Sequence, residues 1–172
     1  MDLDVQMWRG ISDRLKEYPG RLKVARTLVE LGLGVRNSRI FCGEVEQSEL
    51  KIARAIGVDR RTVRETAEFI ESDPVLQSVF KGLRPAGPFL PSVAKHFGYR
   101  VIEIYADPHE VGIVAGATAL ISNEGISIRQ AIADDPDLTP EPKLTLVVEK
   151  EPSGDALQQM LKIPGVTKLA TY

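Results

Sequence analysis

The chain has 172 residues, 43% apolar and 27% charged, with one cysteine, Cys42. That length buries one or two hydrophobic cores, with two domains expected, and a single cysteine excludes an internal disulfide and supplies no metal-ligand cluster, as befits a reducing compartment. The net charge of -2 hides a division: residues 1–96 hold 16 Lys and Arg against 13 Asp and Glu, residues 97–172 hold 6 against 11, so a half of +3 precedes one of -5.

The chain opens Met1-Asp2-Leu3-Asp4, with acids where a secretory signal carries basic residues before an apolar run. The longest weakly polar stretch, residues 112–122, falls short of the roughly 20 apolar residues that span a bilayer. A cytoplasmic protein without a membrane span is expected. Trp8, Ile11 and Leu15 recur at helical spacing, as do Leu22, Ala25, Leu28 and Val29, and both series predict amphipathic helices. Residues 39–45, Arg-Ile-Phe-Cys-Gly-Glu-Val, predict one brief strand.

From Gln47 the sequence reads QSELKIARAIGVDRRTVRETAEFI. A short helix is predicted from about Ser48 to Ile56, a break at Gly57, and a second helix capped by Asp59. A helix-turn-helix needs a small residue where the helices cross, a glycine for the left-handed turn, and an apolar residue locking the second helix. Ala53, Gly57 and Val63 supply these, with Ile52, Ile56 and Val58 completing the core. The first turns of the second helix would face DNA, which puts Arg60, Arg61, Thr62 and Arg64 in reach of phosphates and base edges. The alternative is a solvated arginine face on a helical unit that packs only against protein.

Residues 81–91 contain three prolines and two glycines, and this break sets the expected boundary: a helical helix-turn-helix domain over 1–86, a linker over 87–98, and a second domain over 99–172. Within the linker, Pro91 can begin a short helix that runs to Phe97 and stops at Gly98.

Beyond Gly98 a strand is predicted over residues 99–106, a small-residue helix over 111–123, strands over 126–133 and 143–149, a helix over 154–162 and a strand over 167–172. The fold class is therefore α+β, the helical domain being followed by a βαββαβ domain of ferredoxin-like order. Its four-stranded antiparallel sheet carries both helices on one face and leaves a face or an edge for pairing with a second copy.

Asp-Pro-His-Glu-Val-Gly-Ile-Val-Ala, followed by Glu-Gly-Ile-Ser-Ile, resembles the ACT domain, a module that binds amino acids and similar small effectors; the resemblance spans residues 99–172. With the segments GVDRRTVRET, LRPAGP and EGISIRQAIADDP, most of the chain is similar to archaeal proteins described as predicted regulators of amino-acid metabolism. The resemblance implies effector contacts at Asp107, His109 and Gly112. It further implies a contact at Ser127 contributed by a neighbouring subunit, with Arg129 and Gln130 as lesser candidates. Amides at a helix start suit a carboxylate and Asp107 an ammonium group. The chain departs from the commonest family pattern at Val111 and His109. An ordinary strand-to-helix turn set by Asp107, with His109 solvated, is the alternative.

His96, His109 and Cys42 are scattered, and no phosphate loop, metal spacing or nucleophile elbow occurs, so no enzyme, cofactor or metal is expected. The reading is a ligand-responsive, DNA-binding regulator of amino-acid metabolism, a homodimer through its ACT domain. Its small-molecule effector is an amino acid or a similar compound. The alternative is an interaction module that docks on a biosynthetic enzyme.

Overall fold

The computed structural model describes residues 7–172. The Met1-Asp2-Leu3-Asp4 stretch read for targeting lies outside them. The described residues form a mixed α+β protein with seven α-helices and two antiparallel sheets, and the chain divides into two compact units, Met1–Gly87 and Pro88–Tyr172. Among the described residues, no helix is long and apolar enough to cross a membrane.

In the first unit, α1 (Met7–Leu15) buries Ile11 and Leu15, and α2 (Pro19–Glu30) buries Val24, Ala25, Leu28 and Val29. Leu22 is only half-buried, so the inward stripe of α2 runs through Val24 rather than through Leu22. In place of one brief strand there is a three-stranded meander of β1 (Gly34–Arg36), β2 (Arg39–Cys42) and β3 (Val45–Glu46). Sequence reading missed β1 because three residues are too few for alternation to register. Asn37 and Ser38, with φ of 51° and 57°, close β1 onto β2 in a two-residue turn whose hand matches the twist of the strands.

Helix α3 (Glu49–Ile56) ends at Gly57, which takes the left-handed conformation at φ 67° and ψ 49°. Helix α4 (Arg60–Ser72) follows after two residues. Glycine, with no side chain to clash, enters this region most readily, so Gly57 turns the chain sharply between the two helices. Ala53 and Val63 are buried, Ile52, Ile56 and Val58 half-buried, and α4 turns Val63, Thr66, Ala67 and Ile70 inward against α2, α3, α5 and β1. Asp59 occupies the position before α4 with extended backbone, but its carboxylate accepts no hydrogen bond from the helix amides. The side-chain cap expected there is absent.

Helix α5 (Pro74–Gly82) was not anticipated, although its start has a legible signature. The Asp73 carboxylate accepts from the Val75 and Leu76 amides at 2.9 and 3.0 Å, and Pro74 occupies the first turn, where a missing N–H costs nothing. Glu71, near the end of α4, accepts from the Ser38 amide at 3.2 Å and from Gln77 Nε2 at 2.7 Å, tying the hairpin turn to α4 and α5.

Of the stretch 87–98 read as a linker, residues 88–98 lie within the compact fold of the second unit. They form two 3-10 turns, Leu90–Ser92 and Ala94–Phe97, interrupted at Val93, rather than one helix begun by Pro91. Leu90 and Ala94 pack on Val101 and Val147, and the Gln130 carboxamide accepts from the Leu90 amide at 3.0 Å and donates to the Pro88 carbonyl at 2.7 Å. Apolar burial together with these two bonds holds the segment on the sheet.

The remaining elements are β4 (Arg100–Ala106), α6 (Ile113–Asn123), β5 (Ile128–Ala133), β6 (Lys143–Val148), α7 (Gly154–Met160) and β7 (Val166–Thr171). They follow the βαββαβ order, with strands arranged β5-β6-β4-β7 and every neighbouring pair antiparallel. Ile102, Ile104, Leu144, Leu146 and Val148 form one core with Ile113, Ala117 and Ile121 of α6 and Met160 of α7. The opposite face carries Val101 and Val147 beneath the 3-10 turns. Beside them, Glu103 accepts from Lys143 Nζ at 2.7 Å, the Tyr105 hydroxyl at 3.0 Å and the Tyr172 hydroxyl at 3.2 Å.

Candidate nucleic-acid and effector sites

Helical geometry sets Arg60 and Arg64 one turn apart on the same flank of α4, with Arg61 on the adjacent flank. All three are exposed, their side chains 56%, 49% and 87% accessible for Arg60, Arg64 and Arg61 respectively. None is free. Glu49, in the first turn of α3, places a single carboxylate oxygen 2.9 Å from Arg60 Nε and 3.2 Å from Arg64 Nη2. Glu65, one turn along α4, accepts from Arg61 Nε at 2.6 Å and from Arg21 Nη2 of α2 at 3.0 Å. The Arg21 guanidinium also lies 4.6 Å from the centre of the Tyr18 ring.

Burial pushes the Glu49 carboxyl up, but hydrogen bonds from Arg60 and Arg64 outweigh it and hold the group below the usual carboxylate range. Hydrogen bonds from Arg61 and Arg21 lower Glu65 in the same way, and the Glu65 carboxylate raises Arg61 in return. Thr62 does not share the arginine face: it is half-buried, and its methyl lies beside α2, 3.1 Å from where a side chain on Gly20 would begin. Lys51 and Arg54 stand exposed on α3 and make no ion pair among the described residues. Sequence reading missed Glu49, Glu65 and Arg21. The four-residue spacing of Arg61 and Glu65 was legible, whereas Glu49 reaches Arg60 only because the helices cross.

In the second unit, Asp107 follows the last residue of β4, and its amide donates to the Gly165 carbonyl at 3.0 Å. Its carboxylate accepts from the His109 amide at 2.9 Å, a local turn that starts the exposed loop ahead of α6. Gly112 ends that loop, exposed, at φ 91° and ψ -4°, immediately before the first residue of α6. Val111 beside it is 89% accessible.

A cavity of about 150 Å³ opens between this loop and the connection from β5 to β6, lined by the charged residues Asp107, Glu110, Asp134 and Lys143 and by the buried Ile104, Ile113 and Leu144. His109, Gly112 and Ser127 do not line it. Ser127 lies at the other end of the sheet: Ile128 pairs with Val148, and Val148 pairs with Arg100, at the start of β4. At a rise of about 3.3 Å per residue, the length of β4 puts roughly 20 Å between Ser127 and Asp107. One copy of the chain therefore brings Asp107, His109 and Gly112 into one loop and leaves Ser127 apart. Glu110 and Asp134, which share the cavity with Asp107, were missed because the β5–β6 connection meets the loop only in the folded sheet.

No protein-family model matches the chain, and no curated protein matches it. Among solved structures, the chain is similar to an AsnC family transcriptional regulator from Agrobacterium tumefaciens at 15% identity. The match covers 89% of this chain and 86% of that one, with a TM-score of 0.27. A likeness of that strength transfers neither fold nor function.

Proposed function

We propose that the chain is a ligand-responsive transcriptional regulator of amino-acid metabolism and not an enzyme. In this reading the first unit is a helix-turn-helix domain that sets α4 in the DNA major groove. The second is a ferredoxin-like ACT domain that binds an amino acid or similar effector and pairs with a second copy, the protein acting in the cytoplasm. The observation that carries the reading is the α3–Gly57–α4 turn, which presents Arg60, Arg61 and Arg64 together at the exposed start of a helix. Guanidinium groups suit both the phosphates and the guanine edges that such a helix meets. Thr62 is the weakest of the four DNA candidates, since its methyl is turned toward α2.

For the effector, the βαββαβ order and the exposed loop from Asp107 to Gly112 support a site at the start of α6, with Asp107 as the ammonium partner. Ser127 joins it only from a second copy, which ties effector binding to dimerisation. The ion-paired state of the α4 arginines favours a second reading, in which the first unit docks on a biosynthetic enzyme and binds no DNA.

The test is duplex binding by the full chain and by the Arg60→Ala, Arg61→Ala, Arg64→Ala variant across a range of salt. Each phosphate that an arginine no longer neutralises lowers the slope of log K against log salt by about 0.9. The regulator reading expects a weaker and flatter response in the variant. Unchanged binding overturns the assignment of α4, and no binding by the parent protein supports the docking alternative.

A further inference from the structure

We infer that Glu49 and Glu65 are specificity-determining residues of the α4 face, restraining its arginines from indiscriminate contact with phosphate. The inference rests on the nucleic-acid reading given above and adds to it a role for two carboxylates. Two guanidinium groups converge on one oxygen of Glu49, and two more converge on Glu65. Every candidate arginine of α4 therefore already holds a charge-assisted bond of the kind a phosphate would offer.

A phosphate that takes one of these arginines replaces one anionic partner with another and gains little. It must also approach Glu49, whose side chain is 24% accessible in the first turn of α3, against like-charge repulsion. Base edges are treated differently. Arg60 and Arg61 are each held through Nε, and Arg64 through a single Nη2, so among the described residues the outer N–H pair of Arg60 and of Arg61 stays unspent. That pair is the part of the fork that donates to both O6 and N7 of guanine. The carboxylates thus orient the forks for base edges while cancelling much of the charge that draws a protein onto any duplex.

The chemistry predicts a direction opposite to that of a merely structural ion pair. Glu49→Gln together with Glu65→Gln keeps side-chain volume and a carbonyl acceptor while removing both negative charges. With a mixed-sequence duplex as probe, the slope of log K against log salt steepens by about 0.9 for each carboxylate removed. That corresponds to roughly eightfold tighter binding per carboxylate at about 0.1 M salt relative to a 1 M extrapolation.

Each single variant, E49Q and E65Q, is expected to give half of the change, which keeps the test open if the double variant does not fold, as judged by circular dichroism. Elution from immobilised heparin, a polyanion with no base edges, moves to higher salt in the same order. Tighter, steeper binding supports the restraint. Binding that is unchanged or weaker than in the parent, while the parent itself binds duplex, overturns it and leaves the DNA reading standing. If neither parent nor variants bind duplex or heparin, the DNA reading falls and the restraint falls with it.

Discussion

Replacing Glu103 with glutamine probes the polar cluster on the sheet face opposite α6 and α7. Glu103 is the shared acceptor for the Lys143 ammonium and for the Tyr105 and Tyr172 hydroxyls, and its side chain is 14% accessible. The substitution keeps the shape and a carbonyl acceptor but removes the charge that all three donors address. Hydrogen bonds to a charged group contribute about 1.5–3 kcal/mol, against the roughly 3–5 kcal/mol that breaking a fully buried ion pair costs. Lys143 is 28% accessible and can turn to water, which puts the expected loss at about 1–2 kcal/mol.

The loss carries a pH signature. The hydrogen bond from Lys143 is the main cause holding the Glu103 carboxyl below the usual range, with the tyrosine hydroxyls assisting and burial opposing. A carboxyl lowered on folding stabilises fully above its unfolded value of about 4.3, and that stabilisation disappears as pH falls through the lower folded value. The gap between parent and E103Q is therefore full at neutral pH and narrows in acid. Urea unfolding followed by circular dichroism measures it. Fluorescence of Trp8, the single tryptophan, reports α1 in parallel, so a shift seen by circular dichroism alone assigns the loss to the second unit. A gap below about 0.3 kcal/mol at pH 7, the level of an ordinary exposed pair, or a gap that persists undiminished in acid, refutes the role given to Glu103.

Asp73→Ala removes the acceptor for two amides at the start of α5 and an exposed partner of Arg14, and should lower the stability of the first unit by about 1 kcal/mol, seen in the Trp8 transition; no shift refutes the capping role. For the effector, an amino acid that binds only the native state, at about a hundredfold excess over Kd, stabilises by about 2.7 kcal/mol, visible as a rise in Tm. That rise should disappear in Asp107→Asn, which retains an oxygen for the His109 amide but loses the charge proposed to meet an ammonium group. A rise that survives the substitution, or none with any standard amino acid in the parent, refutes amino-acid binding at that loop.

What was legible in the sequence is what neighbouring residues decide among themselves. The spacing of Ile11 with Leu15, the left-handed glycine at Gly57 and the alternation through Ile102 and Ile104 follow from helix and strand periods and from the steric freedom of one residue type. The order of the last six elements was readable on the same basis, with helix and strand ends displaced by a few residues at most. Short or non-periodic pieces were not readable: β1 is three residues long, and residues 88–98 look like a linker until Ala94 and Leu90 meet Val101 and Val147.

The candidate sites divide in the same way. The arginines of α4 and the loop from Asp107 to Gly112 announce themselves by residue type and position. Only the folded chain decides that Glu49 crosses from α3 to hold Arg60 and Arg64, that Thr62 turns to α2, and that Ser127 lies a full strand length from Asp107. Ion pairs and cavities depend on distances between segments far apart in sequence. Helix crossing and sheet order set those distances, and no local pattern encodes them.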